Sequence, residues 1–230
     1  MKRFPRRWRQ WWRVAQTWCA DLCYPRRCCC CDQVLAADPL AVLCSSCCAG
    51  IQWINGRVTR AAFPAPKWER LLAVSRFDGP IVDALHRLKY ERRLDLAPSL
   101  ARLMMPLVSA RGEIDLIVPV PLSAERLRQR GYNQAQQIAQ TIGETWHSPV
   151  RTGLLVRRRA TPPQVGLSST ARLENVRNAF ALTPRGITVV PKQQVLLLDD
   201  VMTTGATLHE CATVLVRHGA VVTAMAVAVA

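Results

Sequence analysis

The apolar positions of this chain fall into two patterns that alternate along its larger C-terminal part. Short, largely apolar runs stand at 71–77, 114–121, 195–198 and 221–229. Unbroken runs of this length read as strands covered on both faces. Between them the apolar residues recur at helical spacing: Ile81, Leu85 and Leu88; Leu96, Leu100, Leu103 and Leu107; Ala135, Ile138, Ala139 and Ile142; Leu208, Cys211, Ala212 and Leu215. Asp78-Gly79-Pro80 is a turn that opens the first of these helices, and Lys89-Tyr90-Glu91-Arg92-Arg93 closes it. Ser169 is placed to N-cap a further helix, Gly219 is a C′ glycine, and 150–156 is an additional candidate strand. Strands alternating with helices predict an α/β domain built on a parallel, right-handed, doubly wound sheet. No internal repeat is visible.

Ahead of that domain the pattern is lost. Residues 52–66 read as a linker, with Asn55-Gly56 as a turn and Pro64 and Pro66 as breakers. The expected organisation is a basic Trp/Arg-rich extension over 1–18, a small cysteine-rich domain with its linker over 19–66, and the α/β domain over 67–230.

Composition narrows the function classes. A chain of 230 residues with 50% hydrophobic content suits one full domain and a small appendage. No run of eighteen apolar residues is present, and the basic N-terminus lacks an apolar signal-peptide core, so a cytoplasmic protein is expected. The formal net charge of +15 and a sequence pI near 10.2 point to nucleic acid, another polyanion or an anionic membrane surface as a partner. In the extension, Lys2, Arg3, Arg6, Arg7, Arg9 and Arg13 alternate with Trp8, Trp11, Trp12 and Trp18. That mixture suits weak contact with a membrane surface or stacking on single-stranded bases. A partly disordered tail and an extension without a selected role are the competing readings.

Ten cysteines without a secretion signal favour metal over disulfides. Cys28-x-x-Cys31 and Cys44-x-x-Cys47 form two CxxC knuckles separated by a short loop. Two such pairs close a tetrahedral four-thiolate site, and nothing predicts an open coordination position, so structural zinc is expected. Residues 28–31 are all cysteine, which leaves the register ambiguous; Cys19, Cys23, Cys29, Cys30 and Cys48 are spare thiols. A redox-active CxxC is the alternative, but it has no use for a second knuckle.

The most informative stretch is Val195-Leu196-Leu197-Leu198-Asp199-Asp200-Val201-Met202-Thr203-Thr204-Gly205-Ala206-Thr207-Leu208. An apolar strand runs into two carboxylates, then a Thr/Gly loop, then a helix. Ligands of open parallel sheets lie at the carboxyl ends of the strands. The acids would accept hydrogen bonds from sugar hydroxyls, while the loop and the positive end of the helix would cradle a phosphate. The competing reading is any α/β protein with an acidic strand end, such as a response-regulator-like domain. Two basic segments accompany the stretch: Arg126, Arg128 and Arg130 after the Pro-stiffened Val118-Pro119-Val120-Pro121, and Arg157-Arg158-Arg159. His209 is expected near the phosphates, Cys211 in the core, and His86, His147 and His218 in ordinary surface or helix-end positions.

The Asp-Asp-Val-Met-Thr-Thr-Gly-Ala-Thr string resembles the phosphoribosyl-pyrophosphate (PRPP) signature of type I phosphoribosyltransferases. The two knuckles after Tyr24-Pro25, Leu88-Lys89-Tyr90, Val118-Pro119-Val120-Pro121-Leu122, Arg130-Gly131-Tyr132-Asn133-Gln134-Ala135 and residues 164–180 extend the likeness. Together they resemble the ComF/GntX family of phosphoribosyltransferase-like proteins over nearly everything after residue 19. The resemblance implies a type I phosphoribosyltransferase-like α/β fold with an N-terminal four-cysteine zinc domain. It implies a role in natural competence or in the use of external DNA as a nutrient, with single-stranded DNA and the DNA-uptake machinery as partners.

By the same resemblance, Asp199 and Asp200 hold the ribose hydroxyls, and Thr203, Thr204, Gly205, Ala206 and Thr207 the 5′-phosphate. Val120, Pro121, Leu122 and Ser123 match the pyrophosphate loop, with Arg126 and Arg130 nearby. Arg158, Arg172 and Arg177 fall in the loop that closes over PRPP, and magnesium accompanies the pyrophosphate. The resemblance leaves open whether the chain is a phosphoribosyltransferase with an unknown acceptor or a non-catalytic DNA-handling protein. The label amidophosphoribosyltransferase, also used in the family, is not expected to apply, because this sequence shows no glutaminase domain with an N-terminal cysteine nucleophile.

Overall fold

A computed structural model describes residues 25–35, 41–58, 67–108, 114–159 and 169–230, with the side chains of residues 169, 170, 172 and 173 left aside. The N-terminal extension, Cys19, Cys23 and most of the cationic segment after Arg159 lie outside the described residues.

The described residues begin with the cysteine knuckles and a short helix α1 (Ser45–Ala49), followed by strand β1 (Trp53–Arg57). The domain continues through β2 (Arg70–Arg76), α2 (Pro80–Tyr90), α3 (Leu96–Met104), β3 (Leu116–Pro119), α4 (Ala124–Arg130) and α5 (Gln134–Trp146). It ends with β4 (Leu155–Arg157), α6 (Ser169–Val176), β5 (Phe180–Leu182), α7 (Pro184–Val189), β6 (Gln194–Met202), α8 (Ala206–Arg217) and β7 (Val221–Val229).

Five strands form one sheet in the order β1-β2-β7-β6-β3. β2, β7, β6 and β3 are parallel, and β1 adds an antiparallel edge to β2. The α/β expectation therefore holds. The last strand in sequence lies inside the sheet, which explains why its nine residues are almost wholly apolar.

Alternation sorts the strand side chains into two cores. Leu72, Val74, Ile117, Leu196, Leu198, Met225 and Val227 face the helices α2, α3 and α5. Leu71, Leu116, Val118, Val195, Leu197 and Val222 face α8 and the two-stranded β4–β5 sheet. Each helix contributes the stripe that its spacing predicts. Ile81, Leu85 and Leu88 of α2, and Ala135, Ile138, Ala139 and Ile142 of α5, are all buried.

Several expectations are revised. Residues 53–57, read as linker, form the edge strand β1, with Asn55 at φ 44° beside a register shift. The alternation there was masked by Asn55-Gly56, which reads equally as a turn. The strand expected over 150–156 splits in two. Val150 makes a single bridge to Ile117, whereas β4 leaves the main sheet and pairs antiparallel with β5. The helical spacing through Leu107 ends earlier, at Met104, and gives way to a 3-10 turn at Met105–Leu107 where Pro106 removes an amide donor. Basic residues 124–130 form α4, which has no buried face and so carries no apolar stripe to predict it from. Gly219 holds the C′ position expected of it, at φ 84°.

Gly143 lets the chain that follows α5 fold back closely against the helix. A Cβ there would lie 2.4 Å from Val150 Cγ2 and 2.8 Å from the Ser148 carbonyl oxygen. In an open helix Gly→Ala stabilises by about 1 kcal/mol. Here the overlap reverses the sign. Gly143→Ala is expected to lower stability by about 1–3 kcal/mol, read as a lower urea midpoint with an unchanged m-value.

Candidate functional site

β6 is longer than its apolar run. It continues through Asp199, Asp200 and Val201 to Met202, paired with β7 as far as Met202↔Val229. β3 pairs with it only as far as Pro119↔Leu198, after which the Val120 N–H donates to the Leu198 carbonyl at 2.8 Å and the chain turns away. The two carboxylates thus stand on a strand that has outrun its neighbour. A cleft of about 770 Å³ opens there.

Alternation sends the carboxylates to opposite sides of the sheet. Asp200 continues the Leu196/Leu198 series and Asp199 the Val195/Leu197 series. Asp200 meets Lys89 Nζ at 2.8 Å and accepts from Gln134 Nε2 at 3.1 Å, and the Val201 N–H donates to its other oxygen at 2.8 Å. Asp199 accepts from the Asp200 N–H at 2.9 Å. Burial, and then the negative charge of Asp200, push Asp199 up to about 8. Burial acts on Asp200 in the same direction, but the charge and hydrogen bond of Lys89 outweigh it and hold that carboxyl below its ordinary value. The pair is therefore asymmetric: one acid is ionised against a lysine, and the other holds its proton near neutral pH.

One wall of the cleft is the Thr/Gly loop that follows β6. Gly205 takes φ 83° and leads into α8 without a side-chain cap, so the positive end of the helix faces the cleft. Thr203, Gly205, Ala206 and Thr207 line it. The opposite wall is Val120, Pro121 and Leu122, fixed by a 2.8 Å bond from Asn133 Nδ2 to the Val120 carbonyl. Asn133 also caps α5 through its side-chain oxygen. The Tyr132 hydroxyl donates to the Leu88 carbonyl and ties the start of α5 to the end of α2. Lys89, Arg92, Arg126, Arg130 and Arg157 all line the cleft, five cations against the two aspartates. Arg130 lies 5.3 Å from the centre of the Tyr90 ring at the rim, and Arg157 5.4 Å from that of Phe180. Such a wall favours an anion.

The cleft brings together Asp199, Asp200, Thr203, Gly205, Ala206, Thr207, Val120, Pro121, Leu122, Arg126 and Arg130. Thr204 and Ser123 are turned to local work: Thr204 Oγ1 accepts from the Ala206 N–H, and Ser123 Oγ caps α4 by accepting from the Arg126 N–H. Arg158 and Arg177 are exposed and are not among the lining residues. The Arg172 side chain lies outside the described residues. His209 packs edge-on to Trp68 with ring centres 6.0 Å apart, and it does not line the cleft as expected.

Sequence reasoning passed over Lys89, Gln134, Arg92 and Arg157. Lys89 and Gln134 lay inside the strings that carried the resemblance, Lys89 directly after the apolar Leu88 and Gln134 directly before the apolar Ala135. Parity along the β4 strand places Arg157, rather than Arg158, on the side that faces the cleft.

The cysteine cluster resolves the register. The Sγ atoms of Cys28, Cys31, Cys44 and Cys47 all lie within 4.8 Å of one another, and those of Cys31 and Cys44 are 3.6 Å apart. Sulfurs at about 2.3 Å from a shared tetrahedral zinc sit roughly this far apart, so the four fit one ion. The Cys44 N–H points at Cys28 Sγ and the Cys47 N–H at Cys44 Sγ, each at 3.4 Å. Burial would raise Cys28, but backbone donors from Cys31, Cys44 and Cys30 bring it down to about 6. The Cys47 N–H likewise lowers Cys44. Cys29 is buried, and Cys30 donates instead to Asp83 at 3.1 Å. Cys211 is in the core, as expected.

No protein-family model matches the chain. It is 35% identical over 161 residues to the DNA utilization protein YhgH of Escherichia coli K12, covering 67% of this chain and 69% of that one. It is 29% identical over 182 residues to Competence protein F of Haemophilus influenzae, covering 76% and 79% of the two chains. Among solved structures, the glutamine PRPP amidotransferase of B. subtilis, complexed with ADP and GMP, overlaps 58% of this chain and 25% of its own length, at a TM-score of 0.36 and 20% identity.

The asymmetry of the acid pair sets a pH dependence. The folded state holds the Asp199 proton up to about pH 8, whereas the unfolded chain releases it near 3.8. Folded protein binds the extra proton, so its contribution to stability is complete below about pH 4 and is lost as the pH rises through 8. Asp199→Asn removes this slope. Urea unfolding at pH 5 and pH 8 is expected to show the variant gaining on the parent by roughly 3–4 kcal/mol at the higher pH. Equal pH slopes for the two proteins would contradict the assignment.

Proposed function

The chain belongs to the ComF family of competence and DNA-utilisation proteins, and on that footing we propose that its cleft binds PRPP with magnesium in the service of DNA uptake or utilisation. One juxtaposition carries the reading: an acid pair, an uncapped helix start behind Gly205 and a five-cation wall share a single cleft. Ribose hydroxyls donate to carboxylates, the 5′-phosphate takes the amides at the start of α8, and the pyrophosphate takes the arginine side.

Each residue has a distinct task in this reading. Asp200, kept ionised by Lys89, is an acceptor for the ribose hydroxyls. Gln134 fixes its orientation, and Asn133 fixes the loop that faces the pyrophosphate. Arg126 and Arg130 neutralise phosphate charge, and Arg157 closes the floor beneath Asp199. An ionised Asp200, with a second carboxyl beside it, suits a magnesium ion that would arrive with the pyrophosphate and neutralise the leaving group. Phosphoribosyl transfer to an acceptor is the chemistry such a site supports, and pyrophosphate release against candidate acceptors reads it separately from binding. The four-thiolate cluster is assigned to structural zinc, and a reducing cytoplasm suits its free thiols.

Calorimetric titration of Mg-PRPP into the zinc-loaded protein tests the reading. Binding is expected in the parent. In the Asp199→Asn, Asp200→Asn double variant the affinity should fall by at least tenfold. Unchanged affinity in that variant would displace the site.

A second reading, single-stranded DNA handling with or without turnover, has its own observation. Tyr90 is 66% exposed at the rim, with the Arg130 guanidinium 5.3 Å and the His86 ring 4.8 Å from its ring centre. An exposed ring beside a guanidinium group is a stacking platform for bases. Affinity for a short oligonucleotide should then fall with salt, with a log–log slope of about −0.7 per phosphate contacted. A flat salt dependence would remove this reading.

A further inference from the structure

Helix α2 touches both the cysteine cluster and the cleft. Its first half packs on the knuckle: Ile81, Ala84 and Leu85 share one core cluster with Cys28, Cys29 and Cys44. Two polar pins reach it from inside the Cys28–Cys31 turn and just beyond. Cys30 Sγ donates to Asp83 Oδ2 at 3.1 Å, and Asp32 Oδ1 lies 3.8 Å from Arg87 Nη1. Its last turn carries Lys89 to Asp200 at 2.8 Å, and the Leu88 carbonyl holds the Tyr132 hydroxyl. Asp83 and Lys89 are six positions apart on one rigid helix, about 9 Å along its axis.

We infer that α2 is a strut through which a metal ion on the four thiolates positions Lys89 in the cleft, so that metal retention and phosphoribosyl binding are reciprocally coupled. The inference rests on the PRPP reading of the cleft and adds its regulation. Cys30 and Asp32 are not ligands, but they sit in a turn whose shape the ligands Cys28 and Cys31 determine. Among the described residues that turn is held by only a few main-chain bonds, such as Cys28 N–H to the Gln33 carbonyl and Asp32 N–H to the Cys28 carbonyl. Metal binding fixes the turn, because loading of such a site is coupled to local folding. The pins transmit its position to α2. At the far end Lys89 moves with the helix, and with it the charge that keeps Asp200 ionised. Linkage then requires that a ligand which favours the ordered cleft also tightens metal binding at equilibrium, by the same factor that the metal improves ligand affinity. Asp83 is in this scheme a positioning residue, with no contact to either ligand.

The test measures the equilibrium partition of zinc between the loaded chain and a zinc-selective chromogenic chelator, under reducing conditions, with and without saturating Mg-PRPP. Mg-PRPP affinity is measured first by calorimetry. The expected result is at least fivefold weaker apparent zinc transfer to the chelator when Mg-PRPP is bound. Asp83→Ala should bring that factor to near one while leaving zinc stoichiometry at one per chain. Asp83→Asn, which keeps an acceptor for the Cys30 thiol, should restore it. Absence of PRPP binding in the loaded parent overturns the phosphoribosyl reading, and the coupling falls with it. Normal PRPP binding with unchanged zinc transfer overturns the strut alone, and full coupling in Asp83→Ala overturns Asp83 as its pin.

Discussion

The contact between Lys89 and Asp200 is the constraint on which the cleft depends. β6 outruns β3 by four residues, from Asp199 to Met202, and so carries two carboxylates into a place that is only partly solvated. Leaving both ionised and unpaired would cost several kcal/mol. The protein resolves this unequally. A lysine from the end of α2 and an amide from the start of α5 satisfy Asp200, and a proton satisfies Asp199. Those two helices pack on the same face of the sheet, so the compensation of one carboxylate is built from the same core that holds the fold together.

That dependence explains what the sequence disclosed and what it hid. The strands, the helix stripes and the signature loop were legible because each is local: an apolar run, a 3.6-residue spacing, or a glycine at positive φ. The cysteine pairs were legible for the same reason, since a CxxC knuckle brings two thiolates together by itself. Lys89 was not legible. Its partner lies 111 positions away, and only the packing of α2 on the sheet brings the two together. Arg157 was missed because residues 157–159 are three consecutive arginines, and the register of β4 against β5 decides which one points inward. β1 was missed because Asn55-Gly56 satisfies a turn as well as it satisfies an irregular edge strand.

The asymmetric acid pair also bears on how one cleft meets a ligand that is both hydroxyl-rich and highly charged. Two ionised carboxylates would repel a pyrophosphate arriving a few ångströms away. A pair that shares one proton and one lysine presents a nearly neutral floor beneath a cationic wall. Under the proposed reading, the anionic end of the ligand would be drawn to Arg126 and Arg130, while its hydroxyls would meet acceptors that are not strongly repelling. The same economy explains the uncapped start of α8. A side-chain cap there would satisfy the amides at rest and compete with a phosphate, so Thr204 spends its hydroxyl on a single amide and the remainder of the helix end stays turned to the cleft. Stability is surrendered at both places, in a buried acid and in a helix start without a side-chain cap, and both border the same cleft.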